Sequence, residues 1–225
     1  MLERLLPAGV ICREAFDDRV PAPLPAEEAC AVAHAVETRR REFATARRCA
    51  REALTALGVP VRALPAGPSR EPRWPDGVVG SITHCDGYRA AVVASRVRMA
   101  TLGVDAEPHD RLPRGVLDRI ALPAEVDWVM RSTAIDGSVH WDRLLFCAKE
   151  AVYKAWFPLA RCWLGFEDVA VSLERPRGTF TARLRAPKSL LPGGVPVTGF
   201  AGRWRVDRGL ILTAIAVPAP RRSGG

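Results

Sequence analysis

The sequence predicts an α/β protein, of the mixed α+β kind, that is built from two similar halves. Short apolar runs of strand length occur among longer stretches in which apolar residues recur at helical spacing. Two separate stretches recur along the chain: residues 24–27 (LPAE) as residues 122–125, and residues 49–53 (CAREA) as residues 147–151 (CAKEA). Both offsets are 98 (122 − 24 and 147 − 49), which predicts two α/β halves that pack against each other, with a site at their interface.

The first half is expected to occupy residues 1–100. Helical periodicity dominates its middle, and Gly58 followed by Pro60 ends the helical stretch. A hairpin turn is indicated at Asp86 and Gly87. The predicted elements are a strand at residues 9–12, a helical stretch at residues 27–57 in which Thr38 caps a second helix, and hairpin strands at residues 78–84 and 88–94.

The second half is expected to occupy residues 101–220, with residues 221–225 as a disordered tail. Its first strand matches that of the first half, because Gly103 and Gly9 each precede a valine, at an offset of 94 (103 − 9). The other predicted elements are a helix at residues 141–157 that Pro158 stops, and a hairpin at residues 202–217 with its turn at residues 207–209.

Composition indicates an ordinary globular protein with a basic surface. The chain is 48% hydrophobic and 26% charged, with a net charge of +8, which favours acidic partners such as nucleic acid, phosphorylated cofactors or acidic proteins. No apolar run approaches the roughly 18 residues of a membrane span, so no membrane contact is expected. The six cysteines are dispersed without a C-x-x-C pair. This pattern favours neither zinc nor a disulfide framework, and it predicts a cytoplasmic location.

Two carboxylates on one predicted strand are the first indication of chemistry. Asp105 and Glu107 are spaced i and i+2, so in a strand they point to the same face. They repel each other unless a cation or a shared proton lies between them, and hard oxygen ligands favour Mg²⁺ or Mn²⁺. On spacing alone, a strand end with two solvated acids is the more frequent explanation.

Glu150 and Lys154 extend this pattern. They lie four residues apart, one turn along the predicted helix at residues 141–157. An isolated pair of this kind is usually a surface ion pair. Beside two carboxylates, however, Glu150 would complete a magnesium site, and Lys154 would neutralise charge on a phosphoryl group in transfer.

Together these residues resemble the signature of the 4′-phosphopantetheinyl transferases, and more narrowly of the surfactin/enterobactin-type enzymes in their actinobacterial form. The signature comprises residues 103–107 (GVDAE), Trp141 and residues 146–154 (FCAKEAVYK). The resemblance covers nearly the whole chain. Further stretches that fit are residues 39–57, 70–72 with 74–77, 80–84 (GSITH) and 163–166 (WLGF).

The resemblance implies two halves related by a pseudo-twofold axis, with coenzyme A between them. It implies transfer of the 4′-phosphopantetheine arm of coenzyme A to a serine of an apo acyl or peptidyl carrier protein, with release of 3′,5′-ADP. Asp105, Glu107 and Glu150 would hold Mg²⁺ or Mn²⁺. The implied catalytic residues are Glu150, as a base acting directly or through water, Lys154 at the pyrophosphate, and Asp105.

Several cations are expected to converge on coenzyme A, because it carries a 3′-phosphate and a pyrophosphate. The family pattern favours Arg39 or Arg40, together with Arg47. Ala66 and Ser69 stand where some relatives have lysines, so that part of the phosphate pocket is left open. The implied contacts are Arg39, Arg40, Arg47, Arg70, Ser81, Thr83, His84, Lys149 and Lys154.

Two other functions compete with this one. The pI of about 9.7 suggests a nucleic-acid-binding protein, although the charge is scattered and no recognition motif is present. A different magnesium-dependent phosphoryl-transfer enzyme is the other alternative, although the sequence has no P-loop. The expected protein is a cytoplasmic monomer that binds coenzyme A and carrier proteins, and neither nucleic acid nor membranes.

Overall fold

The mixed α/β class is confirmed. The computed structural model describes residues 1–20, 22–185 and 196–220. This part of the chain contains eight strands in two sheets and five α-helices. The tail expected at residues 221–225 lies outside the described residues.

The first half forms the predicted strand, helices and hairpin. The second helix predicted here is confirmed, but it begins at Glu37 after Val36, and Thr38 lies within its first turn rather than capping it. The extended backbone of Val36 (φ −63°, ψ 156°) sets the start without a side-chain cap. The elements are β1 (Ile11–Ala15), α1 (Ala26–Ala29), α2 (Glu37–Ala56), β2 (Val78–Cys85) and β3 (Tyr88–Ser95).

The second half contains the predicted helix and hairpin together with an additional hairpin, β5–β6. The prediction that Pro158 stops the long helix is wrong, because this helix continues to Ala160. Fully buried Ala155 and Trp156 hold the last turn against the core, and this packing outweighs the single donor lost at proline. The elements are β4 (Met99–Pro108), α3 (Leu117–Ile120), α4 (Pro123–Ile135), α5 (Trp141–Ala160), β5 (Val169–Glu174), β6 (Thr179–Leu184), β7 (Gly199–Asp207) and β8 (Leu210–Pro218).

The two sheets repeat one strand order. The first sheet has the order β1-β3-β2, and the second begins β4-β8-β7 and continues with β6 and β5. All pairings are antiparallel. The hairpins β2–β3 and β7–β8 turn at Gly87 and Gly209, an offset of 122 (209 − 87). Thus β1, β2 and β3 correspond to β4, β7 and β8.

The sheet register defines which residues of β1 and β4 are equivalent. Arg13 pairs with Ala91 in the first sheet, and Asp105 pairs with Thr213 in the second. Because residues 91 and 213 differ by the hairpin offset of 122, Arg13 is the counterpart of Asp105 at an offset of 92 (105 − 13). The sequence match of Gly9 with Gly103, at 94, was therefore two residues out of register. A slip of two keeps side chains on the same face, so the alternation of apolar residues did not reveal it.

Strands β2 and β4 are edge strands, and their free edges are joined by side chains. The Ser81 hydroxyl accepts a hydrogen bond from the Val104 amide at 3.1 Å, and the Thr83 hydroxyl accepts one from the Ala106 amide at 3.0 Å. These contacts satisfy amides of an unpaired sheet edge. They also place the end of β2 beside the carboxylates of β4.

Each half has a long helix packed on its sheet. Helix α2 buries Ala50, Ala53 and Leu54 against β3, and α5 packs on the second sheet around Trp156. None of the helices described is both long enough and apolar enough to cross a membrane.

Candidate active site

Strand β4 approaches α5 closely because residue 103 is glycine. A Cβ at Gly103 would lie 2.1 Å from the Ala151 carbonyl oxygen, which no side chain can tolerate. Beyond this point Asp105 and Glu107 both contact side chains of α5, while Ala106 is fully buried in the core. The prediction that the two carboxylates share one face is therefore confirmed.

Asp105 is the most buried of the three predicted metal ligands, with 4% of its surface exposed. Its Oδ1 accepts hydrogen bonds from Lys154 Nζ at 2.6 Å and from the Thr83 hydroxyl at 3.1 Å. Burial alone would lower the pKa of Lys154, but the Asp105 carboxylate raises it. Asp105 Oδ2 is buried without a hydrogen-bond partner among the described residues, so this oxygen is free to bind a cation.

Glu107 is held by Arg143, a residue that the sequence interpretation missed. Arg143 Nη1 donates to Glu107 Oε2 at 2.9 Å, and the same guanidinium donates to the carbonyls of Asp110 at 3.1 Å and Arg111 at 2.7 Å. Arg143 and Glu150 are seven residues, or about two helical turns, apart, so both lie on one side of α5. This spacing is the sequence feature from which a role for Arg143 at the site could have been predicted.

Glu150 lies half-buried on α5 and makes no hydrogen bond or ion pair within the described part of the chain. Burial, followed by the charge of Asp105, raises its pKa to about 6, and the Lys154 charge opposes the shift. Burial and Asp105 also raise the pKa of Glu107. The three carboxylates therefore share one electrostatic environment.

The carboxylates of Asp105, Glu107 and Glu150 are suitable ligands for a divalent cation, although they do not converge on one point. Among the residues described, no three His, Cys, Asp or Glu side chains lie close enough together to hold a metal ion. Asp105 and Glu107 are instead bound by Lys154 and Arg143. The free Asp105 Oδ2 and the unpaired Glu150 are the features that a cation would satisfy.

His84 and Arg39 bring positive charge from the first half to the same region. Arg39 Nη1 contacts His84 Nε2, and it also pairs with Glu42 at 3.3 Å. Burial, then the charges of Arg39 and Lys154, lower the pKa of His84 to about 4. The imidazole is therefore neutral and accepts from Arg39. Cations of α2 and α5 thus converge on His84, an arrangement suited to an anion.

Arg47 is a buried cation that forms no ion pair with the residues the structure describes. Only 3% of its surface is exposed, and its guanidinium lies over the Phe43 ring at 4.8 Å. Nη1 is buried with no hydrogen-bond partner among the described residues. Burial lowers the pKa of Arg47 to about 10. A bound anion would satisfy both the charge and the free donor.

The other predicted coenzyme A contacts are two exposed arginines and two buried hydroxyls. Arg40 and Arg70 are exposed, and their side chains form no hydrogen bond or ion pair with a described residue. The hydroxyls of Ser81 and Thr83 are buried in the join between the sheets, where they accept from backbone amides.

Lys149, an expected contact of coenzyme A, faces away from the carboxylates in this structure. Its ammonium pairs with Glu125 at 2.7 Å. It also donates to the carbonyls of Ile120, Phe166 and Val169 at 2.8, 2.9 and 3.1 Å. Adjacent helical residues point about 100° apart, so Lys149 enters the core while Glu150 faces β4. In this arrangement the donors of the Lys149 ammonium are used within the protein.

Comparison with known families agrees with this geometry. Residues 26–94 match the 4′-phosphopantetheinyl transferase N-terminal domain, and residues 101–193 match the 4′-phosphopantetheinyl transferase superfamily. The chain belongs to this superfamily. The resemblance stated from the sequence is thereby confirmed, and with it the transferase class.

Three actinobacterial relatives support the assignment over most of their length. The chain is 50% identical to the 4′-phosphopantetheinyl transferase Npt of Nocardia iowensis, over 96% of this chain and 99% of the relative. It is 53% identical to PptT of Mycobacterium tuberculosis, over 87% of this chain and 86% of the relative. It is 48% identical to Svp of Streptomyces mobaraensis, over 98% of this chain and 90% of the relative. Like Npt, PptT and Svp are named 4′-phosphopantetheinyl transferases.

Proposed function

We propose that this transferase moves the 4′-phosphopantetheine arm of coenzyme A onto a serine of apo acyl and peptidyl carrier proteins. The observation that carries the proposal is the juxtaposition of two kinds of group. Cations from α2 and α5 surround His84, and Lys154 links them to the carboxylate of Asp105. A phosphate ester with an adjacent pyrophosphate matches this arrangement in charge.

Coenzyme A is held through its phosphates. Arg47, with its free buried donor, binds the 3′-phosphate together with Arg39 and His84. Lys154 binds the pyrophosphate, because its ammonium lies between the cationic group and Asp105. Arg40 and Arg70 contribute at the exposed rim.

Glu150 acts as the base. Its raised pKa lies close to neutrality, which suits a carboxylate that accepts a proton, directly or through water. As the proton leaves the serine hydroxyl, its oxygen attacks the β-phosphorus. The bond to the bridging oxygen breaks, and 3′,5′-ADP leaves. Lys154 neutralises the charge that develops on the phosphoryl oxygens.

Asp105, Glu107 and Glu150 would hold Mg²⁺, or Mn²⁺ in its place, which when bound would supply positive charge to the pyrophosphate. The support is the chemistry of the donor set and the free Asp105 oxygen. Arg143 keeps Glu107 in position.

We also propose a cytoplasmic monomer with two halves, residues 1–100 and 101–220. The corresponding strand orders and the hydroxyl-mediated join between β2 and β4 support the division. The free thiols of all six cysteines are compatible with a reducing compartment.

The test is direct modification of a carrier protein. The protein is incubated with coenzyme A, Mg²⁺ and each of several apo carrier proteins, and mass spectrometry reports the added arm. We expect modification, its loss in excess chelator, and its return with Mg²⁺ or Mn²⁺. Glu150→Gln should slow it by about 10²–10⁴-fold, while Glu37→Gln, an exposed change on the other long helix, should not. Absence of modification on every carrier would refute the activity, and full turnover in chelator would refute the metal.

A further inference from the structure

The internal repeat gives the active site a counterpart in the first half. The strand register equates Arg13 with Asp105, and at the same offset of 92 it equates Ala15 with Glu107 (107 − 15). On the helices, the offset of 98 equates Glu52 with Glu150 (150 − 52). The first half therefore contains the corresponding place with different chemistry.

Matching ion pairs support the helix correspondence. Arg51, at the same offset before Lys149, pairs with buried Glu28 at 2.5 Å, and Glu28 also accepts from the Leu64 amide at 2.7 Å. In the second half, Lys149 pairs with Glu125 at 2.7 Å, and Glu125 accepts from the Val171 amide at 2.7 Å. The same scaffold surrounds both places.

A cavity of about 480 Å³, broadly open to solvent, occupies the first-half counterpart. None of the groups assigned above to coenzyme A, metal or serine lines it, so it is separate from the active site. Its lining brings residues of β1 and α2 together: Arg13, Arg48, Arg51, Glu52, Thr55 and Ala56.

The charge of this cavity is reversed relative to the active site. Arg13 replaces a metal-ligand carboxylate, and within the described residues it makes no ion pair; its guanidinium donates only to the neighbouring Cys12 carbonyl. Arg48 pairs with Glu52 at 3.0 Å, but its Nε is buried with no partner in the described part of the chain. The cavity therefore has unused guanidinium donors and lacks the carboxylate set that would hold a metal.

We propose that this cavity is a second anion-binding site, specific for small phosphate-bearing molecules. Guanidinium groups bind phosphate oxygens through two parallel hydrogen bonds, in a bidentate geometry that a halide ion cannot match. The volume of about 480 Å³ leaves room for more than one phosphate group, so a diphosphate is a suitable ligand for Arg13 and Arg48. The site takes no part in the proposed transfer reaction, and only its test uses the proposed binding of coenzyme A.

Inorganic pyrophosphate is the probe for the test. The protein is saturated with coenzyme A in metal-free buffer, so that the cations around His84 are occupied, and pyrophosphate is titrated to millimolar concentration by calorimetry. We expect one further binding event. Arg13→Gln should weaken it roughly tenfold or more, the loss of about one charge-assisted contact.

Arg19→Gln is the matched control, because Arg19 is an exposed arginine just beyond β1, outside the cavity. It should bind pyrophosphate like the parent. Arg13 is exposed and its guanidinium contacts only a neighbouring carbonyl, so Arg13→Gln should keep the melting temperature. Three results would overturn the proposal: no binding to the coenzyme A complex, an equal loss in both variants, or binding that Arg13→Gln leaves unchanged.

Discussion

Thr83 donates its hydroxyl proton to Asp105 Oδ1 at 3.1 Å, while the Thr83 hydroxyl oxygen accepts a hydrogen bond from the Ala106 amide at 3.0 Å. One side chain of the first half thus positions both the backbone of β4 and the carboxylate that follows Val104. Ser81 makes only the first kind of contact, with the Val104 amide. Ser81 therefore only holds the backbone of β4, whereas Thr83 also orients the Asp105 carboxylate.

Thr83→Val should reduce both stability and catalysis. The change leaves the Ala106 amide without its partner, which costs about 1–3 kcal/mol, and it removes a donor from Asp105. Ser81→Ala should lower the melting temperature through the same loss but leave kcat within a few-fold of the parent. Urea unfolding and steady-state rates measure the two effects. Equal kcat losses in both variants would contradict a separate role for Thr83.

Lys154→Met should strengthen metal binding in the absence of coenzyme A, although turnover is lost. Lys154 occupies Asp105 Oδ1 at 2.6 Å, so it competes with any cation for that oxygen. Free Mn²⁺, followed by electron paramagnetic resonance, measures the affinity without requiring activity. Leu159→Met, a change at the end of the same helix, is the control. Unchanged or weaker Mn²⁺ binding would show that Lys154 does not compete.

The acid limb of kcat/KM should fall near pH 6 rather than near pH 4.5. Burial and the Asp105 charge disfavour the ionised form of Glu150 and raise its pKa to about 6. A base must be ionised, so activity rises with pH through this value. Glu150→Gln should lower the rate by about 10²–10⁴ and abolish the limb.

Unfolding does not explain that limb. A carboxylate whose pKa is higher in the folded state binds its proton more tightly there, so this group favours folding below its unfolded pKa and loses that contribution as pH rises through about 6. The melting temperature should therefore not fall in parallel with activity between pH 7 and 5.5. A parallel fall would assign the limb to other groups.

Lys149→Met should destabilise the protein without a specific effect on coenzyme A. Leaving buried Glu125 without its cation costs about 3–5 kcal/mol. Arg51→Met, which leaves Glu28 unpaired, should behave alike and is the internal comparison. Denaturant unfolding and KM for coenzyme A measure the outcome. A raised KM for coenzyme A at unchanged stability would indicate that Lys149 contacts the pyrophosphate.

Arg47→Ala should weaken coenzyme A more than 3′-dephospho-coenzyme A. The buried guanidinium with a free Nη1 should face the 3′-phosphate, and charge-assisted contacts are worth about 1.5–3 kcal/mol. The loss for coenzyme A should be roughly tenfold or more by calorimetry. Similar losses for both ligands would assign Arg47 to another group.

Local spacing was sufficient to predict part of the site. Alternation along β4 placed Asp105 and Glu107 on one face, and a four-residue step placed Glu150 and Lys154 on one side of α5, because both depend only on backbone geometry. The recurrence of two stretches at one offset predicted two similar α/β halves, and the two sheets share one strand order.

Features that depend on tertiary packing were not predictable in this way. Lys149 is next to Glu150 in sequence, yet its four acceptors come from three distant segments, around residues 120, 125 and 166–169. Arg143 likewise acquires its role from the end of β4 and the residues just after it, 32–36 residues earlier in the chain. The role of Thr83 required knowing that two sheet edges meet.

The corresponding strand registers have a consequence for protein engineering. Because β1 presents Arg13 and Ala15 where β4 presents Asp105 and Glu107, two substitutions would transfer the strand carboxylates of the second half onto the frame of the first. Glu52 already stands at the position of the third. A single polypeptide would then carry, through changes at exposed or half-buried positions, the three-carboxylate set in both halves.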